Sequence, residues 1–177
     1  MIEATRQSSM IDRMIRAARL EPQVYEEVEH DQSATSQALL VVVLGVIAGG
    51  IGALSGGITG LIFGIVAALI GWAVYAFIAY WVGTNIFKGP QTEATWGQLL
   101  RTLGFASSPR VLLVLAVIPV TVISGLVVLA VFIWMLFTTV IAIRQALDFD
   151  TWRAIATAVV SLLAQAVIYS VVFAIVV

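Results

Sequence analysis

RVLLVLAVIPVTVISGLVVLAVFIWMLFTTVIAIR, residues 110–144, decides the fold: between Arg110 and Arg144 lie 33 residues without a charge. One helix of that length would reach ~50 Å at ~1.5 Å per residue, far more than the ~30 Å hydrocarbon core of a bilayer. Two helices joined by a tight turn fit better, and Pro119 with the pair Ser124-Gly125 stands where a hairpin would turn. Charge placement argues the same way. With a hairpin the chain has five spans and every Lys and Arg falls on one side: Arg6, Arg13, Arg16 and Arg19 before the first, Lys88, Arg101 and Arg110 before the third, Arg144 and Arg153 before the fifth. With a single helix the split is seven against two. The positive-inside rule favours five spans, with the N-terminus in the cytoplasm and the C-terminus outside.

Working outward, the expected spans are 37–54, 58–82, 109–123, 126–144 and 154–177, making 35–177 one membrane domain behind a polar segment, 1–34. Composition agrees. The chain of 177 residues is 61% apolar and 11% charged, with a mean hydropathy of +1.06. Soluble domains carry about 25% charged residues, so this one could not coat a globule in water. The expected class is an all-α polytopic membrane protein with a helical cytosolic N-terminus. Its partners would be the bilayer and other membrane proteins, or a second copy. A net charge of -1 offers nothing to nucleic acid.

Residues 1–34 hold eleven of the nineteen charges. Ser9 and Asp12 mark a helix start, and Pro22 ends that first segment. Met10, Ile11, Met14, Ile15 and Ala18 share one face, with Arg13, Arg16 and Arg19 towards the other. That pattern suits a basic amphipathic helix, lying either on an anionic leaflet or on the protein's own loops. The next stretch, EPQVYEEVEHD, has five acids and no base, with Val24, Tyr25 and Val28 as an apolar edge. In the interval before the third span, Thr95 and Gln98 predict a capping box. The helix they open puts Trp96, Leu99, Leu100 and Leu103 on one face and Gln98, Arg101 and Thr102 on the other. Too short to span, it would lie in the interface plane, and Ser108-Pro109 would begin the next helix. The acidic segment 21–31 is expected to dock there, Tyr25 and Val28 against 96–103, its carboxylates near Arg101 and Arg110. With Arg144 and Asp148 of the turn at 144–153, these residues make the candidate cytosolic interface. Asp150 or Thr151 would cap the last span.

Chemistry-bearing patterns are scarce. Cys is absent, and the one His, His30, stands beside Glu29 and Asp31 as on any solvated helix. There is no nucleophile–base pair, phosphate loop or dinucleotide fingerprint, so no catalytic residue, metal or cofactor is expected. Gly45, Gly49, Gly52, Gly56, Gly60 and Gly64 repeat at small-xxx-small spacing, which serves either tight packing of spans 1 and 2 or a seam between copies. Gln165 is the most polar residue expected deep in a span. Such a residue usually bonds a facing helix; on a solute path it would share a wet cavity with Thr121, Thr138 and Ser161. No ionisable group is expected inside a span, which argues against an ion-coupled pump.

Three stretches, VYEEVEHDQSATSQAL, TWGQLLRTLGFASSPRVL and AIRQALDFDTWRAI, together with five spans behind a polar N-terminus, resemble the Yip1 domain family in its bacterial branch. For eukaryotic members the resemblance implies vesicle traffic and contact with Rab-type GTPases. Their DLYGP-like motif does not occur in this sequence, which counts against a GTPase partner. The resulting expectation is an inner-membrane scaffold or accessory subunit, not an enzyme. The alternative is a small-solute or lipid transporter or channel with a polar path near span 5.

Overall fold

A computed structural model describes residues 8–50, 57–117 and 121–176. Among them the chain is helical with no strand: α1 Met10–Ala18, α2 Pro22–His30, α3 Ala34–Gly50, α4 Gly57–Asn85, α5 Trp96–Ala106, a 3-10 segment Ser108–Val117, α6 Thr121–Ala146 and α7 Thr151–Val176. Local chemistry sets the starts. The Ser9 hydroxyl accepts from the Asp12 amide at 3.2 Å, and Asp150 Oδ1 accepts from the Arg153 amide at 3.0 Å. Thr95 and Gln98 form the full capping box. Pro22 is the first residue of α2, where its missing N–H costs nothing.

Four stretches are long and apolar enough to cross a membrane: Gly57–Asn85, Trp96–Ala116, Thr121–Ala146 and Thr151–Ile175. A fifth apolar helix, Ala34–Gly50, has 17 residues. Two sequence expectations need correction. Ser124 and Gly125 lie inside α6, whose first residue is Thr121; Pro119 falls outside the described residues. Ser108 opens the next helical segment, as expected, but in 3-10 rather than α form. Its hydroxyl donates back to the Phe105 carbonyl at 2.6 Å, and that of Ser107 to the Gly104 carbonyl at 2.6 Å. Bonded backwards, they tighten the chain into 3-10 form, and Trp96–Ala116 is together long and apolar enough to count as one stretch. Arg101 and Arg110 therefore both fall on this one stretch, Trp96–Ala116, which is long and apolar enough to cross.

α3 packs on the 3-10 segment, α5 and α4; α4 packs on α7 and α5; α6 packs on the 3-10 segment, α5 and α7. α1 and α2 cover one end, the polar end, lying on α5 and α6. There the core closes around Tyr25, Val28, Leu99, Phe105, Ile143 and Leu147, all fully buried. The opposite ends of α4, α6 and α7 carry no charge.

Candidate functional site

At the polar end, the apolar edge read from the sequence lies inside: Val24, Tyr25 and Val28 of α2 are fully buried, and α2 packs on α5. The joint is made by Arg101. Its Nε donates to the Val28 carbonyl at 2.9 Å and its Nη2 to the Glu29 carbonyl. These are two of the four carbonyls that a helix leaves without partners at its C-terminus, where a cation also meets the negative end of the helix dipole. The sequence put Arg101 and Thr102 on a water face. Both are buried, Arg101 because it caps α2, Thr102 because its hydroxyl bonds back to the Gln98 and Leu99 carbonyls. Gln98 adds a bond from Nε2 to Glu29 Oε1 at 3.0 Å.

Glu29 and Asp31 lie within electrostatic reach of Arg101, as expected, but the direct ion pairs of 21–31 go to other bases. Arg13, 2% exposed, donates to Glu27 Oε1 at 2.9 Å, Asp31 Oδ2 at 2.8 Å and Gln37 Oε1 at 3.1 Å, tying α1, α2 and α3 together. Arg16 pairs with Glu27 at 2.7 Å and Glu21 at 3.3 Å. Sequence reasoning passed over this clamp, although α1 is the nearest source of base to the acidic stretch. The helix thus spends Arg13 and Arg16 on the protein, turns Met10 and Met14 to the core, and leaves Ile11, Ile15 and Arg19 exposed. Trp134 Nε1 donates to the Ala18 carbonyl at 2.7 Å, pinning the end of α1 to α6.

These contacts move protons. Burial pushes the Glu27 carboxyl up, but bonds from Arg16 and Arg13 outweigh it and hold it below the usual range. Ser33, against some burial and with help from Arg13, lowers Asp31. Burial, reinforced by Asp148 and Glu26 and opposed by His30 and Arg101, lifts Glu29 to about 6. Burial also raises the Tyr25 phenol, whose hydroxyl donates to the Ala17 carbonyl at 3.1 Å.

The remaining interface candidates are spread over the same end. Trp96 Nε1 donates to the Ala73 carbonyl at 3.2 Å and its ring meets Phe77 edge-on. The Leu100 carbonyl accepts from Trp72 Nε1 at 3.1 Å. Arg144 reaches Gln145 and Thr151. Asp148 is exposed at a turn with φ of +50°, between the buried side chains of Leu147 and Phe149. Exposed on this surface are Glu26, Glu93, Asp148, Asp150 and Lys88.

Arg110 is elsewhere. It borders a cavity of about 550 Å³ among α3, α4, α6 and α7, with Trp72, Tyr75, Met135, Leu162 and Gln165 on its walls. Gln165 Nε2 donates to the Gly71 carbonyl at 2.8 Å and to the Tyr169 hydroxyl at 3.0 Å. A Cβ on Gly71 would collide with that hydroxyl. Thr138 is buried off the cavity, its hydroxyl on the Ala106 carbonyl at 2.7 Å. Ser161 is buried too, and neither its hydroxyl nor that of Thr157 has a partner among the described residues. Thr121 is exposed at the start of α6.

The glycines divide. Gly45 and Gly49 lie against Arg110 and Leu113 of the 3-10 segment, Gly64 only loosely against Val46, and Gly60 faces open space. Gly52 and Gly56 fall outside the described residues. Among the described residues no group of three His, Asp or Glu side chains is placed to hold a metal.

An all-helical bundle with several crossings, capped at one end by two docked polar helices, is an integral membrane protein by architecture. The Yip1 domain model matches residues 20–174, nearly the whole chain from the end of α1 onward. The chain belongs to the Yip1 domain family. No curated protein and no solved structure matches it.

Proposed function

We propose that this Yip1-family membrane protein is a scaffold or accessory subunit, not an enzyme, that works through its polar end. In this reading the protein sits in a bacterial cytoplasmic membrane with five spans, α3 being the first, its N-terminus in the cytoplasm and its C-terminus outside. The observation that carries it is the Arg101 joint, which makes α1 and α2 a fixed part of the polar surface. A fixed surface binds a partner without the ordering cost that a loose arm would bring. The grouping of Lys88, Arg144 and Arg153 at the same end supports the orientation.

The partner is another membrane protein or a second copy, met through exposed groups such as Glu26 and Asp148. The test is purification of the full chain in mild detergent, comparing wild type with Glu26→Lys plus Asp148→Lys. A co-migrating protein that the double variant loses supports the reading. Purification of both forms alone, or with the same companions, overturns it. The second reading, a small-solute or lipid transporter or channel, draws on Gln165 at the cavity wall; it predicts solute flux in vesicles holding only this chain.

A further inference from the structure

Arg110 borders an apolar cavity, and its guanidinium has no hydrogen-bond or ion-pair partner among the described residues. Five N–H donors in such a place are costly unless something accepts from them. An ionisable group within a crossing segment is rare and marks a functional site by default. Arg101, on the same stretch, donates from Nε and Nη2 to carbonyls of α2. Arg110 makes no such bond among the described residues.

Its depth narrows the choice of ligand. α4 with 29 residues and α6 and α7 with 26 each are ~39–44 Å long against a ~30 Å core. Their far ends are apolar, so the surplus of about 10 Å stands out at the polar end. Thr138, eight residues before the end of α6, bonds the Ala106 carbonyl, which puts Ala106 roughly 12 Å from that end. Arg110 follows four residues later in 3-10 form, at most ~8 Å deeper. Trp134, twelve residues before the same end, holds the Ala18 carbonyl of α1, so the polar cover reaches about 18 Å down from that end. The Arg110 Cα lies near the lower edge of that cover, and its stem can carry the charge to the headgroups. Gly45 makes room for that stem: a Cβ there would stand 3.1 Å from Arg110 Cβ and Cδ.

We propose that this cavity binds an anionic membrane phospholipid, one acyl chain along the apolar wall and the phosphate on Arg110. The volume falls within the ~300–1,000 Å³ of small-molecule sites. Lining residues Phe132, Leu136, Val159 and Leu162 are themselves exposed on the sides of α6 and α7, where hydrocarbon would touch them. The polar groups on the facing wall, Gln165 and Tyr169, already bond to Gly71 and to each other, so they ask nothing of the chain lying over them. Guanidinium takes phosphate oxygens through paired charge-assisted bonds. A zwitterionic headgroup brings its own cation to compete for the same phosphate; an anionic one does not. The site is independent of what the polar end binds.

The experiment is native mass spectrometry of the full chain in detergent micelles, titrated with phosphatidylglycerol and with phosphatidylcholine of the same acyl chains. Wild type should prefer phosphatidylglycerol by about tenfold, a difference of ~1.4 kcal/mol. Arg110→Gln should abolish the preference, Arg110→Lys should keep part of it, and Arg19→Gln, an exposed base on α1, should leave it whole. Ala158→Phe, filling the cavity, should lose phosphatidylglycerol altogether; should Arg110→Gln not fold, that variant decides. An unchanged preference in Arg110→Gln, its loss in Arg19→Gln, full binding by Ala158→Phe or displacement of the lipid by millimolar inorganic phosphate would each overturn the proposal.

Discussion

Arg101 of α5 caps the C-terminus of α2 from 73 residues away, its guanidinium on the carbonyls of Val28 and Glu29. One side chain thereby does for α2 what a glycine cap does for other helices, and fastens the N-terminal segment to the membrane bundle.

Arg101→Met should undo that joint. It leaves two buried carbonyls without donors, at ~1–3 kcal/mol each, while filling most of the same space. Melting of the detergent-purified chain should fall by several degrees, and limited proteolysis should cut between α2 and α3 where wild type resists. Arg101→Lys, a single compact donor centre, should lie between the two. Wild-type resistance in Arg101→Met would show that apolar contact alone holds α2.

Glu29 predicts a pH dependence opposite to that of its neighbours. Its folded carboxyl titrates near 6, above the ordinary 4.5, so the folded state holds the extra proton. Stability from that proton is complete below about 4.5 and is lost as pH rises through about 6. Glu27 and Asp31 are lowered, so their contribution is present above their ordinary values, 4.5 and 3.8, and lost as pH falls further. Melting profiles should therefore show a downward slope between pH 4.5 and 6 that Glu29→Gln removes, and an acid-side loss that it leaves intact. A wild-type slope unchanged in Glu29→Gln would assign the effect to another group.

The membrane class and the packing of α2 on α5 could be read from apolar edges and run lengths, because burial of such edges is what the sequence pattern records. The partner of Arg101 could not. A backbone carbonyl has no letter in the sequence, so an arginine that caps a distant helix looks like any solvated base. The same holds for Ser107 and Ser108, whose hydroxyls serve a helix start or a 3-10 continuation with equal ease. Choosing the continuation carried Arg110 from an expected loop to the wall of a cavity. Charge arithmetic found half of where the carboxylates go: the loop at 88–110 and the segment at 1–20 each carry +2. Arg101 of the first acts on Glu29 and Asp31 through space, while Arg13 and Arg16 of the nearer one take the direct ion pairs.

Glycines of equal appearance in the sequence should respond differently to alanine. A Cβ on Gly104 would stand 2.6 Å from Ala38 Cβ and 3.1 Å from its Cα. The backbone of α3 cannot yield as a flexible side chain would, so Gly104→Ala should cost ~1–3 kcal/mol. Gly60 and Gly125 face open space, and alanine there should be neutral or stabilise by about 0.5–1 kcal/mol. Thermal melts in detergent separate the two classes. Destabilisation by Gly60→Ala, with loss of a crosslinkable dimer, would instead reveal a seam between copies.

The orientation can be read chemically, because the chain has no Cys to compete with an introduced one. Single cysteines replace Ile58 and Thr121, both exposed near the apolar ends of α4 and α6, or Gln91 and Asp148, both exposed at the polar end. With five spans and the polar end in the cytoplasm, a membrane-impermeant thiol reagent added to intact cells should label Ile58→Cys and Thr121→Cys. Gln91→Cys and Asp148→Cys should react only after the membrane is opened. A span count that leaves α3 outside the bilayer moves neither pair, since α4 and α6 run between the same two ends. Protection of Ser36→Cys before permeabilisation therefore completes the set: it places the start of α3 on the side of Gln91. Labelling of Asp148→Cys from outside would invert the orientation and remove the cytosolic partner from the proposed function.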